Sequence, residues 1–301
     1  MKRFYILSIV AYFFAGSVLT GCSKDDEAPG NSSITFIDAK VENGTNYNSI
    51  FDKVKAIMYY GKDENEFVVA EGKYSNGGFM IQLPATVDPE YLSPIVDGGK
   101  IGDEEIIMED WIEISDKTVK GGGISLQAYN QSGDYLGDFY YLNSSWDVSS
   151  NKTRTMITIS VSEAGFVYCD KDVKITGSTE LEEEVEDTQV KVKVKANAGL
   201  KKGWNIIYLT IDISIKKNGE SLSSSGIASI TTSKPGEMKW YFEDDMDDFF
   251  GINYQKSYVA DGDIQLSQLS QISKNLQQVV SKYRLFPKSQ YVHQSPLIIN
   301  H

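Results

Sequence analysis

Residues 188–196 read T-Q-V-K-V-K-V-K-A, valine and lysine alternating at every step. A two-residue period fits a strand with one face in a core and the other in water; helical faces recur every three to four residues. The period returns after W-N-I-I-Y-L-T, where Ile211, Ile213 and Ile215 alternate with polar residues. Between the two, N-A-G-L-K-K-G is expected to be a loop, so that residues 188–217 form one long antiparallel hairpin. Lysine at alternate positions suits a solvent-facing strand near a sheet edge.

Other segments read the same way. Residues 54–60 and 67–70 flank the polar turn G-K-D-E-N-E, and the turn signal Asn76-Gly77-Gly78 leads into F-M-I-Q-L-P, with Phe79, Ile81 and Leu83 on one face. Residues 124–129 and 135–142 flank Asn130-Gln131-Ser132-Gly133. Residues 156–161 alternate, 166–169 and 173–175 surround Asp170-Lys171-Asp172, and a short strand is expected at 238–242. With almost no helical periodicity before residue 260, the pattern predicts an all-β body. The expected architecture is an antiparallel β-sandwich, immunoglobulin-like or transthyretin-like, over residues 36–249. If the body has two lobes, they divide near residues 90–120.

The C-terminal region, residues 250–301, differs. Leu266, Leu269, Ile272, Leu276, Val279, Val280 and Tyr283 recur at three- and four-residue steps. That spacing predicts an amphipathic helix capped by Asp263, packed across the β body or offered to a partner. A loose tail follows from residue 285.

At the other end, Lys2 and Arg3 precede an apolar run from residue 4 to 19 and then Leu19-Thr20-Gly21-Cys22. Residues 1–21 have the layout of a secretory signal peptide, and the run is shorter than the ~20 residues of a membrane-spanning helix. Leu19-Thr20-Gly21-Cys22 resembles the bacterial lipobox. The resemblance implies a diacylglycerol on the Cys22 sulfur, and an acyl chain on the amine freed by cleavage before it. One chain would anchor the protein only marginally, and the full set holds it permanently. Ser23-Lys24-Asp25-Asp26-Glu27 resembles the export signal after the acylated cysteine in Bacteroidetes surface lipoproteins, which implies the outer face of the outer membrane. Residues 22–35 would also serve as a flexible tether, being too polar to fold alone.

N-G-G-F-M-I-Q-L-P (76–84), F-V-Y-C-D-K-D-V-K-I-T-G (166–177) and K-K-G-W-N-I-I-Y (201–208) extend the resemblance to uncharacterised Bacteroidetes lipoproteins with β-sandwich bodies, over residues 1–245. It implies an address and an architecture, and brings no catalytic residue with it.

The chain of 301 residues carries a net charge of -13, and -15 without residues 1–21. Such a surface repels nucleic acid, which is excluded as a partner. With Cys22 acylated, Cys169 has no partner for a disulfide and is expected to be a buried, inert thiol. His293 and His301 are the only histidines and both fall in the tail, so the body has none for a Ser-His-Asp or Cys-His system or for a zinc site. Gly121-Gly122-Gly123 lacks the following Lys-Ser/Thr of a phosphate loop and reads as a flexible turn.

Two acidic runs remain. Residues 180–187 read as an extended, self-repelling loop. The run Glu243-Asp244-Asp245-Met246-Asp247-Asp248 supplies hard oxygen ligands that would suit Ca²⁺, Asp244, Asp245, Asp247 and Asp248 foremost, without EF-hand spacing or its glycine. No other cofactor is expected. Trp111, Trp146, Trp204 and Trp240 are candidate stacking platforms for sugars, or else core residues. The functional expectation is a non-enzymatic surface lipoprotein that binds a glycan or another envelope protein. The alternatives are a glycoside hydrolase working through two carboxylates, and a structural or adhesive subunit joined to partners by an exposed strand edge.

Overall fold

The computed structural model describes residues 33–61, 65–95, 99–101, 104–106, 111–151, 154–185, 188–218 and 221–245. Cys22, the export signal Ser23-Lys24-Asp25-Asp26-Glu27, Asp247, Asp248 and the expected C-terminal helix lie outside the described residues.

The protein is all-β. Its strands are β1 (Phe36–Lys40), β2 (Lys53–Tyr60), β3 (Asn65–Ser75), β4 (Gly78–Gln82), β5 (Ser93–Pro94), β6 (Gly99–Ile101), β7 (Glu104–Ile106) and β8 (Ile112–Ile114). They continue with β9 (Lys120–Tyr129), β10 (Tyr135–Asn151), β11 (Arg154–Cys169), β12 (Val173–Val185), β13 (Thr188–Leu200), β14 (Gly203–Asn218), β15 (Ser221–Thr231) and β16 (Lys239–Phe242). A 14-stranded, largely antiparallel sheet runs β1-β4-β3-β2-β9-β10-β11-β14-β15-β13-β12-β8, with β16 added on β10 and β5 on β9; β6 and β7 pair separately.

Two cores lie on opposite faces of β11. Phe166 and Tyr168 enter an aromatic core with Phe51, Tyr74, Phe79, Phe139, Trp204, Trp240 and Phe242. Val167 and Cys169 enter an aliphatic core with Val173 and Ile175 of β12, Ala198 and Leu200 of β13, and Ile207 and Leu209 of β14. The far end of the sheet thus packs back onto β11 and β14. Residues 161–169 are buried without a break. A strand covered on both faces needs no polar alternation, and F-V-Y-C shows none.

Cys169 is free and fully buried, and burial pushes its thiol pKa up, which leaves no thiolate for chemistry. The expected turn at Asn76-Gly77 is present, with both residues at positive φ, and Phe79, Ile81 and Leu83 are all buried.

Three sequence expectations are corrected. β13 and β14 follow one another but do not pair: β15 inserts between them, antiparallel to β14 and parallel to β13. The alternating pattern gives each strand's inward face and says nothing of its neighbour. The acidic run at residues 180–185 is strand, not loop: β12 pairs with β13 along its length, Glu180 opposite Lys193. Lys193 and Lys191 reach Glu180 at 2.6 and 3.5 Å, so the lysine strand relieves the repulsion that would keep the run apart. Gly121-Gly122-Gly123 is not a turn but part of β9, where three strands crowd. A Cβ on Gly121 would stand 2.5 Å from the Tyr168 carbonyl oxygen, and one on Gly122 2.7 Å from the Met58 sulfur.

Candidate functional site

Two of the four tryptophans, Trp204 and Trp240, lie in the core. Trp204 is 2% exposed, and its indole N–H donates to the Pro84 carbonyl at 2.8 Å. Trp240 is 7% exposed, stacked on Phe166 and Tyr141. Neither can offer a face to a sugar, because the large apolar ring gains more from the core than from water. Trp111 is half-buried against the aliphatic core. Trp146 stands opposite Ile159 in the β10–β11 pair, and its side chain lies outside the described residues. Asp244 is exposed in the short 3-10 turn Glu243–Asp245 that follows β16. Among the described residues, no three His, Cys, Asp or Glu side chains gather as a metal-ion site.

The structure instead brings together acids and tyrosines from β2, β9 and β10. The local cause is the connection after β9. Asn130 closes it: its side-chain oxygen accepts from the Asp134 N–H at 2.9 Å, and its amide donates to the Asp134 carboxylate at 2.8 Å. The register then shifts between Tyr135 and Gly137, so that Asp138 stands opposite Gln127. Gly137 has φ +145°, and a Cβ there would lie 2.7 Å from Phe242 Cζ and 3.0 Å from Glu243 Oε2. Such irregularities re-aim side chains. Here the shift places Asp138 on the face away from the aromatic core and lets Glu243 approach.

The resulting network is compact. The Gln127 side-chain amide donates to the Tyr59 hydroxyl at 3.0 Å, and the Tyr129 hydroxyl donates to Gln127 Oε1 at 2.9 Å. The Asp138 backbone N–H donates to Glu243 Oε2 at 3.2 Å. Lys55 places its ammonium 3.8 Å above the Tyr129 ring. The Tyr129 and Tyr135 rings meet edge to face, 6.1 Å apart. Tyr135 is 39% exposed, so the network reaches solvent there.

Asp138 is the electrostatic centre. Burial first and the Glu243 carboxylate second push its pKa up to about 7, against hydrogen bonds from Tyr135 and Gln127 that pull it down. Its Oδ1 is buried and has no hydrogen-bond partner among the described residues. Glu243 is raised by burial. Burial and the nearby Asp138 push Tyr59 to about 12 and raise Tyr135 further. At neutral pH the site therefore holds a carboxyl poised between its two states, beside a second carboxyl and intact phenols. It can accept hydrogen bonds, donate them, and exchange a proton near pH 7.

One strand away, Glu163 of β11 stands between Leu142 and Leu209 and is 5% exposed. Burial alone raises its pKa well above the usual carboxylate range, and its Oε2 has no partner among the described residues.

Of these residues the sequence pointed only to Glu243, as the head of the acidic run considered for Ca²⁺ and not as a neighbour of Asp138. Asp138, Gln127 and the tyrosines have ordinary spacings, and the one further signal was the two-fold period around Glu163. An acid at the parity of Val161 and Val167 points inward.

The chain matches no family model, and no curated protein or solved structure matches it at a significant level. No helix among the described residues is long and apolar enough to cross a membrane.

Proposed function

We propose that this protein is a lipoprotein of the Bacteroidetes surface type, anchored in the outer membrane through lipid on Cys22 and facing the exterior. It binds an extracellular ligand without transforming it, through the face built from Tyr59, Gln127, Tyr129, Tyr135 and Asp138. The lipobox and the Ser23–Glu27 run support the address. The buried, unpartnered Asp138 Oδ1 beside the half-open Tyr135 is the observation that carries the site. An acceptor left unpaired is costly, and a ligand donor would relieve that cost. Rings next to an amide and a carboxyl suit a glycan, whose C–H faces stack and whose hydroxyls both donate and accept. Another envelope protein presenting a tyrosine- and donor-rich surface is the alternative ligand.

A glycan array probed with the full-length protein in detergent tests this reading. Binding that weakens at least about tenfold in Tyr135→Ala supports it, while binding to no glycan removes the glycan reading. The address has its own test: Cys22→Ala should abolish labelling by fatty acid, and labelling that survives would refute the lipid anchor.

A second reading rests on the Asp138–Glu243 pair. Two carboxyls, one poised near neutral pH, are what a glycoside hydrolase employs as acid and as base or nucleophile. Release of reducing sugar that disappears in Glu243→Gln would favour it over simple binding.

A further inference from the structure

The face built from Tyr59, Gln127, Tyr129, Tyr135 and Asp138 has a charge balance that narrows its ligand. Glu243 stands close enough to Asp138 for its carboxylate to raise the Asp138 pKa. Glu66 of β3 is exposed opposite Tyr59, and its negative charge is felt at both Tyr59 and Tyr129. Lys53 and Lys55 of β2 pair opposite Tyr129 and Gln127. Glu71 holds Lys53 at 3.3 Å, whereas the Lys55 ammonium rests 3.8 Å above the Tyr129 ring. Glu66, Asp138 and Glu243 are thus set against Lys55, which is itself drawn onto a ring. Lys55 shows within this chain that a tyrosine of this face holds an ammonium. The Tyr135 ring is 39% exposed, meets Tyr129 edge to face and hydrogen-bonds Asp138, so it is the ring open to a second cation.

Resting on the glycan reading of this face, we propose that its ligand is an amino sugar. The ligand's ammonium meets Asp138 Oδ1 beside the Tyr135 ring, and the C–H face of the sugar lies on that ring. Asp138 Oδ1 is buried and has no partner among the described residues, so any donor relieves it. Only a cation also relieves the repulsion between Asp138 and Glu243. A charge-assisted bond from an ammonium to a carboxylate is also about twice as strong as a neutral one. An acidic sugar would meet Glu66, Asp138 and Glu243 together and be repelled. An N-acetylated sugar keeps an N–H donor but brings no charge, so it satisfies Oδ1 and leaves the repulsion in place. The proton balance closes by either route. A neutral amine takes the proton of an un-ionised Asp138, an ammonium meets Asp138 already ionised, and the resulting pair is the same.

Isothermal titration calorimetry tests this with full-length protein in detergent at pH 7, comparing a chitosan oligomer with the fully N-acetylated oligomer of the same length. Salt at about 0.15 M screens the general attraction of a cationic oligomer to a chain of net charge -13. Wild type is expected to bind the amine-bearing oligomer at least about tenfold more tightly than the acetylated one. In Asp138→Asn that preference should vanish. Glu113→Gln removes the same charge from an exposed residue of β8, at the far end of the strand order, and should keep the preference. Melting curves show that each variant is folded. Equal affinity of wild type for the two oligomers overturns the amino-sugar inference and leaves the wider glycan reading standing. Binding of neither oligomer overturns it too, and the glycan array then decides the wider reading. A preference that survives in Asp138→Asn, or falls equally in Glu113→Gln, assigns the amine effect to overall charge and overturns the inference as well.

Discussion

Two buried carboxyl groups occupy neighbouring regions of this sheet under different terms. Around Asp138, Tyr135 and Gln127 donate hydrogen bonds, Glu243 stands close, and Tyr135 opens to solvent. Around Glu163 the cross-strand neighbours are Leu142 and Leu209, each 1% exposed, and burial acts alone on its pKa. Both acids lose hydration: Asp138 is pushed up to about 7 with hydrogen bonds opposing the rise, and Glu163 is raised well above the usual carboxylate range by burial alone. A site that exchanges protons or ligands must keep a route to water and a partner for each state. Asp138 has both, whereas Glu163 reads as a cost carried by the fold.

The largest effect that sharpens this contrast is expected at Gly137. Gly137→Ala forces a Cβ against Phe242 and Glu243 at a φ that side chains rarely adopt. It should destabilise by about 2–4 kcal/mol in chemical denaturation, through overpacking and backbone strain together. Glu163→Leu should do the opposite, stabilising by about 1–3 kcal/mol, because it removes a buried acceptor without a partner. Loss of stability in that variant would mean that Glu163 has a partner which the contrast denies it.

A smaller, graded effect concerns pH. In the unfolded chain Asp and Glu ionise near pH 4, whereas folded Asp138 holds its proton to about 7 and Glu163 and Glu243 also shift upward. The Asp138 contribution to stability is therefore full below about pH 4 and lost as pH rises through about 7, and the raised Glu163 and Glu243 act in the same direction. Asp116, Asp172 and Glu180 shift downward through Thr118, Lys201 and Lys193 respectively, but they are exposed and solvent screens them. The melting temperature should fall between pH 4 and pH 8, and Asp138→Asn with Glu163→Gln should flatten that slope. An unchanged slope would count against both assignments. The smallest effect is expected for Tyr135→Phe at pH 7, below about 1 kcal/mol, since one hydrogen bond near solvent is lost.

Much of the fold was legible before the structure. The hairpin around Asn130–Gly133, the Asn76-Gly77 turn and the inward parity of Phe79, Ile81 and Leu83 follow from local chemistry. Strand neighbours were not legible, because V-K-V-K fixes which face is wet and leaves open whether β12, β14 or β15 lies beside it. Gly121-Gly122-Gly123 misled for a related reason: glycine permits a turn and a close approach alike, and only Tyr168 and Met58 decide between them. For Trp204 and Trp240 the sequence left core and sugar platform both open, because a large ring suits either, and the structure puts both in the core. The Asp138 site was hidden because it depends on a register shift that brings residues 59, 127, 138 and 243 together.

The contrast between the two carboxyls has one decisive measurement. A glycan array would be run at pH 7 with full-length wild type, Asp138→Asn and Glu163→Gln, each shown to be folded by its melting curve. The account predicts that wild type and Glu163→Gln give the same binding, and that Asp138→Asn loses at least about tenfold of it. Binding retained in Asp138→Asn, or lost in Glu163→Gln, would contradict the assignment of the working site to the β2–β9–β10 face.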